Sequence, residues 1–357
     1  ILCICFCVIT TFCYAQPQAT LSASRPDTTL INNLLRLSSE KFNTDTSEAV
    51  RLALEAKKLS EQINFQKGIA YSLKNIGIVF YLQGKFIPAL ENYEQALSIF
   101  NKLGDKKGSS NILSNIGAIY SDKGEDTTAL SYHLRSLALC EAIGDKLRIA
   151  TSLGNIGAVY SNKKETYGKA IDFFQRSLHL SHEVNDQYLA GTACANIGEV
   201  YFNEAKDDSA LFYFNKSLQE YTDMADKCFT LNYMGRLYAR NKNFDSALIC
   251  QKKGYEIASQ ILNRLDMCIA HRSIAETYLL QGNKNEALSY YLQALPLAQE
   301  IDSKKELKII YSSLSDVYAN KGDYNNAYKN LTCVNSSLKL MNVASQDPNS
   351  ITQRLMI

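Results

Sequence analysis

The tripeptide Asn-Ile-Gly occurs four times, as Asn75-Ile76-Gly77, Asn115-Ile116-Gly117, Asn155-Ile156-Gly157 and Asn196-Ile197-Gly198, with the glycines 40, 40 and 41 residues apart. A fixed period of this length marks a chain built by stacking one small supersecondary unit, in which each copy buries its apolar face against the next. Continuing the register places Gly235, Ala275 and Ser315 at steps of 37, 40 and 40. Three residues after each small residue stands an aromatic: Phe80, Tyr120, Tyr160, Tyr201, Tyr238, Tyr278 and Tyr318. Twelve residues after it (thirteen once) stands alanine: Ala89, Ala129, Ala170, Ala210, Ala247, Ala287 and Ala327.

Each unit reads as two helices. In one copy Ile112, Leu113, Ile116, Ile119 and Tyr120 keep a helical period that Lys123-Gly124 ends; Ala129, Leu130, Leu134 and Leu137 keep it again, and Gly144-Asp145 closes the unit. Two helices of about 16 residues, each near 24 Å long, fill the period with two turns. An earlier copy is marked by Ala49 and Ala56, while its first helix, around Leu30 to Ser39, lacks the small residue and the tyrosine, as terminal repeats often do. Glycine in a helix interior costs roughly 1 kcal/mol against alanine, so its recurrence needs a packing reason. The expectation is that Gly77 and Ala89 let the two helices of one hairpin touch nearly backbone to backbone. The aromatic at plus three is then expected to fill the wedge between successive hairpins.

The formal net charge is +2, which leaves no basic footprint for nucleic acid or acidic membrane. Ile1 to Tyr14 is uncharged and apolar, and Ala15 is followed by the polar Gln16-Pro17-Gln18. That pattern predicts the apolar core of a secretory signal whose basic start lies upstream, with cleavage after Ala15, and so an exported protein in the periplasm or on the periplasmic face of the inner membrane. Cys3, Cys5, Cys7 and Cys13 lie in that leader; Cys140, Cys194, Cys228, Cys250, Cys268 and Cys333 do not. Cys228 and Cys268 hold the same place in adjacent units, about one helix-packing distance apart, which is too far for a disulfide and predicts buried thiols.

Small residue, aromatic at plus three and alanine at plus twelve resemble the tetratricopeptide (TPR) signature. The 40-residue period, with units closing in turns such as Leu103-Gly104-Asp105, is similar to the long-helix variant. The resemblance implies an all-α, right-handed superhelical solenoid of about eight antiparallel hairpins over residues 27–341, with units near 27–66, 67–106, 107–145, 146–186, 187–223, 224–263, 264–303 and 304–341. Residues 16–26 read as a linker and 342–357 as a tail that could open a connector. A narrower resemblance, carried by Tyr160 to Ala170 and Lys329 to Ile357, is to the extracytoplasmic TPR sensor regions of bacterial membrane adenylate or guanylate cyclases and histidine kinases.

The resemblance also implies where a partner sits: first helices line a concave groove that takes a protein or an extended peptide. At the groove position two before the small residue stand Asn75, Asn115, Asn155 and Asn196, then Tyr233. An asparagine amide both donates and accepts, so a ladder of four could clamp a peptide backbone, or simply tie neighbouring helices. Ser114, Ala118, Gly154 and Ala158 are small and leave room, whereas Arg236 and Arg272, flanked by Glu199 and Glu276, could grip an anion or pair among themselves. His179 and His182 lack a third metal ligand in register and read as a solvated face. No catalytic constellation, cofactor motif or metal site is expected. Three readings stay open: a binding scaffold in signalling, the regulatory part of a cyclase or kinase with membrane contact only through a further C-terminal segment, and a structural adaptor in an envelope assembly.

Overall fold

The computed structural model describes residues 27–42, 44–301 and 303–345. The expected leader and linker, and residues 346–357 of the expected tail, lie outside these residues. Among the described residues all regular structure is helical: sixteen α-helices and two short 3-10 turns, Lys164–Thr166 and Ala225–Lys227. None of these helices is long and apolar enough to cross a membrane.

The chain divides into two compact units, residues 1–189 and 190–357. The first holds α1 (Thr28–Glu40), α2 (Thr46–Gln62), α3 (Gln66–Leu82), α4 (Phe86–Lys102), α5 (Lys106–Asp122), α6 (Asp126–Ile143), α7 (Lys146–Tyr160) and α8 (Tyr167–Glu183). They pack as hairpins, α1 on α2 through α7 on α8, and each hairpin stacks on the next. The second unit begins within the first turn of α9 (Gln187–Asn203). It continues through α10 (Asp207–Glu220), α11 (Cys228–Arg240), α12 (Phe244–Gln260), α13 (Arg264–Leu280), α14 (Lys284–Glu300), α15 (Lys304–Asn320) and α16 (Tyr324–Ser345). Here too α11 pairs with α12, α13 with α14 and α15 with α16.

The Gly-Asp turns do two jobs in two residues. Gly144 sits at φ 68°, the left-handed conformation that ends α6 and that a residue with a Cβ adopts only at a cost. Asp145 then accepts from the backbone N–H of Arg148 and so caps α7. Gly104 and Asp105 repeat the arrangement between α4 and α5.

The recurrent helix glycine does serve a close approach, but the notch it leaves is filled by a side chain the repeat analysis did not mark. A Cβ built on Gly77 would stand 2.5 Å from the Tyr93 ring, on Gly157 2.8 Å from Phe174, and on Gly198 2.6 Å from Phe214. These residues lie on the second helix, one turn beyond the repeat alanine; in other hairpins His133 meets Gly117 and Gln251 meets Gly235. All five are at most 2 % exposed. The backbones also come near at Gly235, where a Cβ would stand 3.1 Å from the Ala247 carbonyl oxygen.

The aromatic at plus three pairs with a ring of its own hairpin, where the expectation placed it in the wedge between successive hairpins. Tyr120 stacks on Tyr132 with centroids 5.5 Å apart, Tyr160 on Phe173 at 5.5 Å, Tyr201 on Tyr213 at 5.6 Å and Tyr278 on Tyr290 at 5.5 Å. Each pair joins first to second helix, because twelve or thirteen residues separate the two rings across the turn. Lys123, Arg135, Lys169, Arg176 and Lys206 lie over rings of these pairs, adding cation–π attraction at half-exposed positions.

Candidate functional site

The asparagine ladder is embedded in the structure. Asn75 is 2 % exposed and its amide nitrogen donates to the Leu35 carbonyl at 3.0 Å, with Ser38 Oγ at 3.3 Å. Asn155, 5 % exposed, donates to Ser114 Oγ at 3.0 Å. Both bonds run from one first helix back to the preceding one, so these amides tie adjacent hairpins. Asn196 is likewise buried, and Asn115 is half-buried beside the Tyr93 hydroxyl. Ala118 and Ala158 are buried, while Ser114 and Gly154 remain half-open.

The two arginines singled out from the sequence are not joined in one grip. Arg272 on α13 is 10 % exposed at its side chain; its Nε donates to Glu306 at 2.8 Å and a terminal nitrogen to Glu276 at 2.5 Å. Burial pulls the guanidinium pKa down, yet Glu276 and Glu306 together reverse this and hold it above its ordinary value. Arg236 on α11 instead lies over the Phe202 and Tyr233 rings, 5.1 and 5.0 Å from their centroids. The Tyr233 hydroxyl donates to Glu199 Oε1 at 2.5 Å. Burial raises the Glu199 carboxyl above its usual range, with the Tyr233 hydrogen bond opposing it.

Sequence reasoning named Ser114 and Asn115 but missed the neighbours that complete a third group in the first unit. Tyr71 and Lys74 on α3, Asn111, Ser114 and Asn115 on α5, and Arg148 on α7 stand on three consecutive first helices. All are half-buried except Arg148, which is 8 % exposed. The signal was present in the register: Lys74, Ser114 and Gly154 share one position, three before the small residue, so the face tapers from a long cation to no side chain at all.

The described cysteines are free thiols. Cys228 and Cys268 donate to the carbonyls of Gly254 and Ala294, each 26 residues on, and burial pushes both up to about 12, so they are protonated and inert at neutral pH. His179 pairs with Glu183 at 3.1 Å on an exposed face. Among the described residues no group of three or more His, Cys, Asp or Glu is arranged to hold a metal.

The family model of the tetratricopeptide repeat matches residues 108–181 and 226–300. The chain is a helical repeat protein of the tetratricopeptide type. Its TPR hairpins also match solved structures of low sequence identity, which fixes the fold. The apo form of the quorum sensor NprR from B. thuringiensis is 15 % identical with a TM-score of 0.65, covering 86 % of this chain and 87 % of that one. A Rap protein complexed with competence and sporulation factor is 14 % identical with a TM-score of 0.63 and covers 88 % of each chain. The Rap conjugation gene regulator of the plasmid pLS20, in complex with the Phr* peptide, is 13 % identical with a TM-score of 0.63, covering 88 % of this chain and 97 % of that one. No curated protein sequence matches this TPR chain significantly.

Proposed function

We propose that this chain is a binding scaffold which holds a protein or extended peptide against its first-helix face, and that its role is recognition rather than catalysis. The observation that carries the reading is the polar line Tyr71, Lys74, Asn111, Ser114 and Asn115. It is sheltered by neighbouring helices yet half-open, on consecutive hairpins of the first unit. A half-open row of polar groups at repeat spacing suits an extended backbone, whose own donors and acceptors recur at regular intervals. Support also comes from structures of the same fold recorded with a peptide or signalling factor bound.

A bulky side chain placed beside this row tests the reading. A Cβ at Gly154 would meet only Ser177 Oγ, at 3.7 Å, an ordinary contact, so the position accepts a Cβ without a clash. Peptides selected by the intact protein from a displayed random library are expected to bind Gly154→Phe at least tenfold more weakly in fluorescence anisotropy. Leu134→Arg, on an exposed site of the second helix α6, is expected to leave their binding unchanged. The reverse pattern would instead favour an adaptor that docks a folded partner on its outer helices.

An extracytoplasmic setting, as in a sensor module, is the second part of the proposal. It rests on the apolar run Ile1 to Tyr14 and the small residue Ala15. Supplied with an initiator methionine and a basic start, residues 1–40 are expected to carry a periplasm-dependent phosphatase reporter into the periplasm. Retention of the reporter in the cytoplasm would remove this part of the reading and leave the binding role standing.

A further inference from the structure

The second unit exposes two large apolar side chains at one register position of neighbouring second helices. Phe212 on α10 and Ile249 on α12 each stand two residues after the repeat alanine, 63 % and 67 % exposed. Helix α11 packs on both α10 and α12. The Phe212 ring is held edge-on against Tyr213, with centroids 5.2 Å apart. Nothing in the repeat asks for an apolar residue here. The same position holds Arg51, Glu91, Ser131, Asp172, Ser289 and Lys329 in other hairpins. Two adjacent apolar groups at a place the fold otherwise fills with polar ones mark a contact surface.

The charges around these two residues follow a pattern of their own. Asp208 lies four residues before Phe212 and Lys216 four after it; Asp245 and Lys253 flank Ile249 in the same way. Residues four apart share one stripe of a helix, so each of these helices carries acid, apolar residue and base in a row, about 6 Å between steps. Elsewhere in the second unit Lys206 pairs with Glu204, Arg240 with Asp207 and Arg264 with Glu300. Among the described residues the side chains of Asp208, Lys216, Asp245 and Lys253 make no hydrogen bond or ion pair. All are exposed except Lys216, which is half-buried.

A row with acid at one end and base at the other is complementary to itself turned end for end. We infer that the face formed by α10 and α12 is a self-association surface, on which a second copy of this chain docks. The two-fold axis runs across the helices at the level of Phe212 and Ile249. Rotation about it lays α10 antiparallel on α10 of the second copy, and α12 antiparallel on its α12. Phe212 then meets Phe212, Ile249 meets Ile249, and each aspartate faces a lysine of the opposite row. A parallel docking of α10 on α12 would set Asp208 against Asp245 and Lys216 against Lys253, so like charges select the antiparallel arrangement. An unrelated partner would have to match both rows, whereas a second copy matches them by symmetry. The face is only two helices wide, at the low end of interface sizes, so the dimer is transient rather than obligate. Because α10 and α12 are second helices, this docking leaves the first-helix face free for the proposed peptide.

Sedimentation velocity of the full chain tests the surface, at concentrations up to about 300 μM to reach the weak end of transient interfaces. The parent is expected to pass from monomer to dimer over that range. Phe212→Lys sets two ammonium groups face to face on the axis and is expected to weaken the dimer at least tenfold. Its thermal midpoint is expected to stay near the parent's, because the position is exposed. Two charge variants separate this face from any other. Asp208→Lys with Asp245→Lys, and Lys216→Asp with Lys253→Asp, each give both rows a single sign and are expected to be monomeric alone. Mixing the two is expected to restore a dimer with one copy of each, which a merely structural role for these charges would not give. A parent that stays monomeric, or a dimer that Phe212→Lys leaves unchanged, overturns the self-docking face. So do charge variants that dimerise unmixed, or whose mixture stays monomeric.

Discussion

Replacing Arg272 by methionine is expected to destabilise the second unit by about 3–5 kcal/mol, the cost of stranding a buried carboxylate. Glu306 is 1 % exposed, and one of its oxygens has Arg272 as its hydrogen-bond partner at 2.8 Å. Among the described residues its other oxygen, Oε1, is buried without a partner. Removing the guanidinium strips the buried carboxylate of its ion-pair partner. The double variant Arg272→Met with Glu306→Leu is expected to recover most of the loss, since replacing a buried ion pair by apolar side chains is often neutral or stabilising. Equilibrium urea unfolding followed by circular dichroism measures both. A single-variant loss below about 1 kcal/mol would mean that the pair is solvated and the first-helix face more open at α13 than the geometry states.

That ion pair marks the boundary of what the sequence revealed. The helical hairpins, their period and their turns were legible because each depends on local chemistry that recurs: a small residue, a ring and an alanine seven times, and a Gly-Asp break at Gly104, Gly144 and Gly322. The residue that fills the glycine notch escaped notice because it is Tyr93, His133, Phe174, Phe214 or Gln251 in different copies. A conserved shape need not be a conserved residue type, and the notch selects for volume and flatness. The direction of the aromatic pairs was misjudged for a related reason. Sequence spacing gives the helix face, but only the hairpin crossing decides which ring lies opposite. Asn75 and Asn155 show the limit at the site itself: an amide at repeat spacing suits a peptide backbone or a neighbouring helix equally well, and here the donors reach Leu35 and Ser114. Lys74 and Arg148 could not be associated from sequence, being 74 positions apart and on helices two hairpins removed from each other.

His133 offers the second large effect, and its sign follows from where the proton goes. It is 2 % exposed, stacked into the notch above Gly117, and among the described residues its Nδ1 has no hydrogen-bond partner. Burial lowers its pKa to about 4, against an ordinary value of 6.5. Between those two values the unfolded chain binds a proton that the folded chain refuses. The stability contributed by keeping the ring neutral is fully present above pH 6.5 and is lost as the pH falls toward 4. At roughly 1.4 kcal/mol per pH unit, the loss is about 2 kcal/mol by pH 5 and about 3 kcal/mol in full. His133→Phe should remove that slope, because Phe174 and Phe214 already occupy the same notch over Gly157 and Gly198. It also replaces an unpaired buried nitrogen by carbon, so the variant is expected to be no less stable at pH 7.5 and more stable at pH 5. His271, buried in the second unit and shifted in the same direction, is untouched by the change. Carboxylate titration likewise cancels when parent and variant are compared at each pH. Urea midpoints at pH 7.5 and pH 5 decide the matter: a stability difference that does not widen on acidification would mean that His133 is solvated or paired, and that its notch is not the dry slot its neighbours occupy.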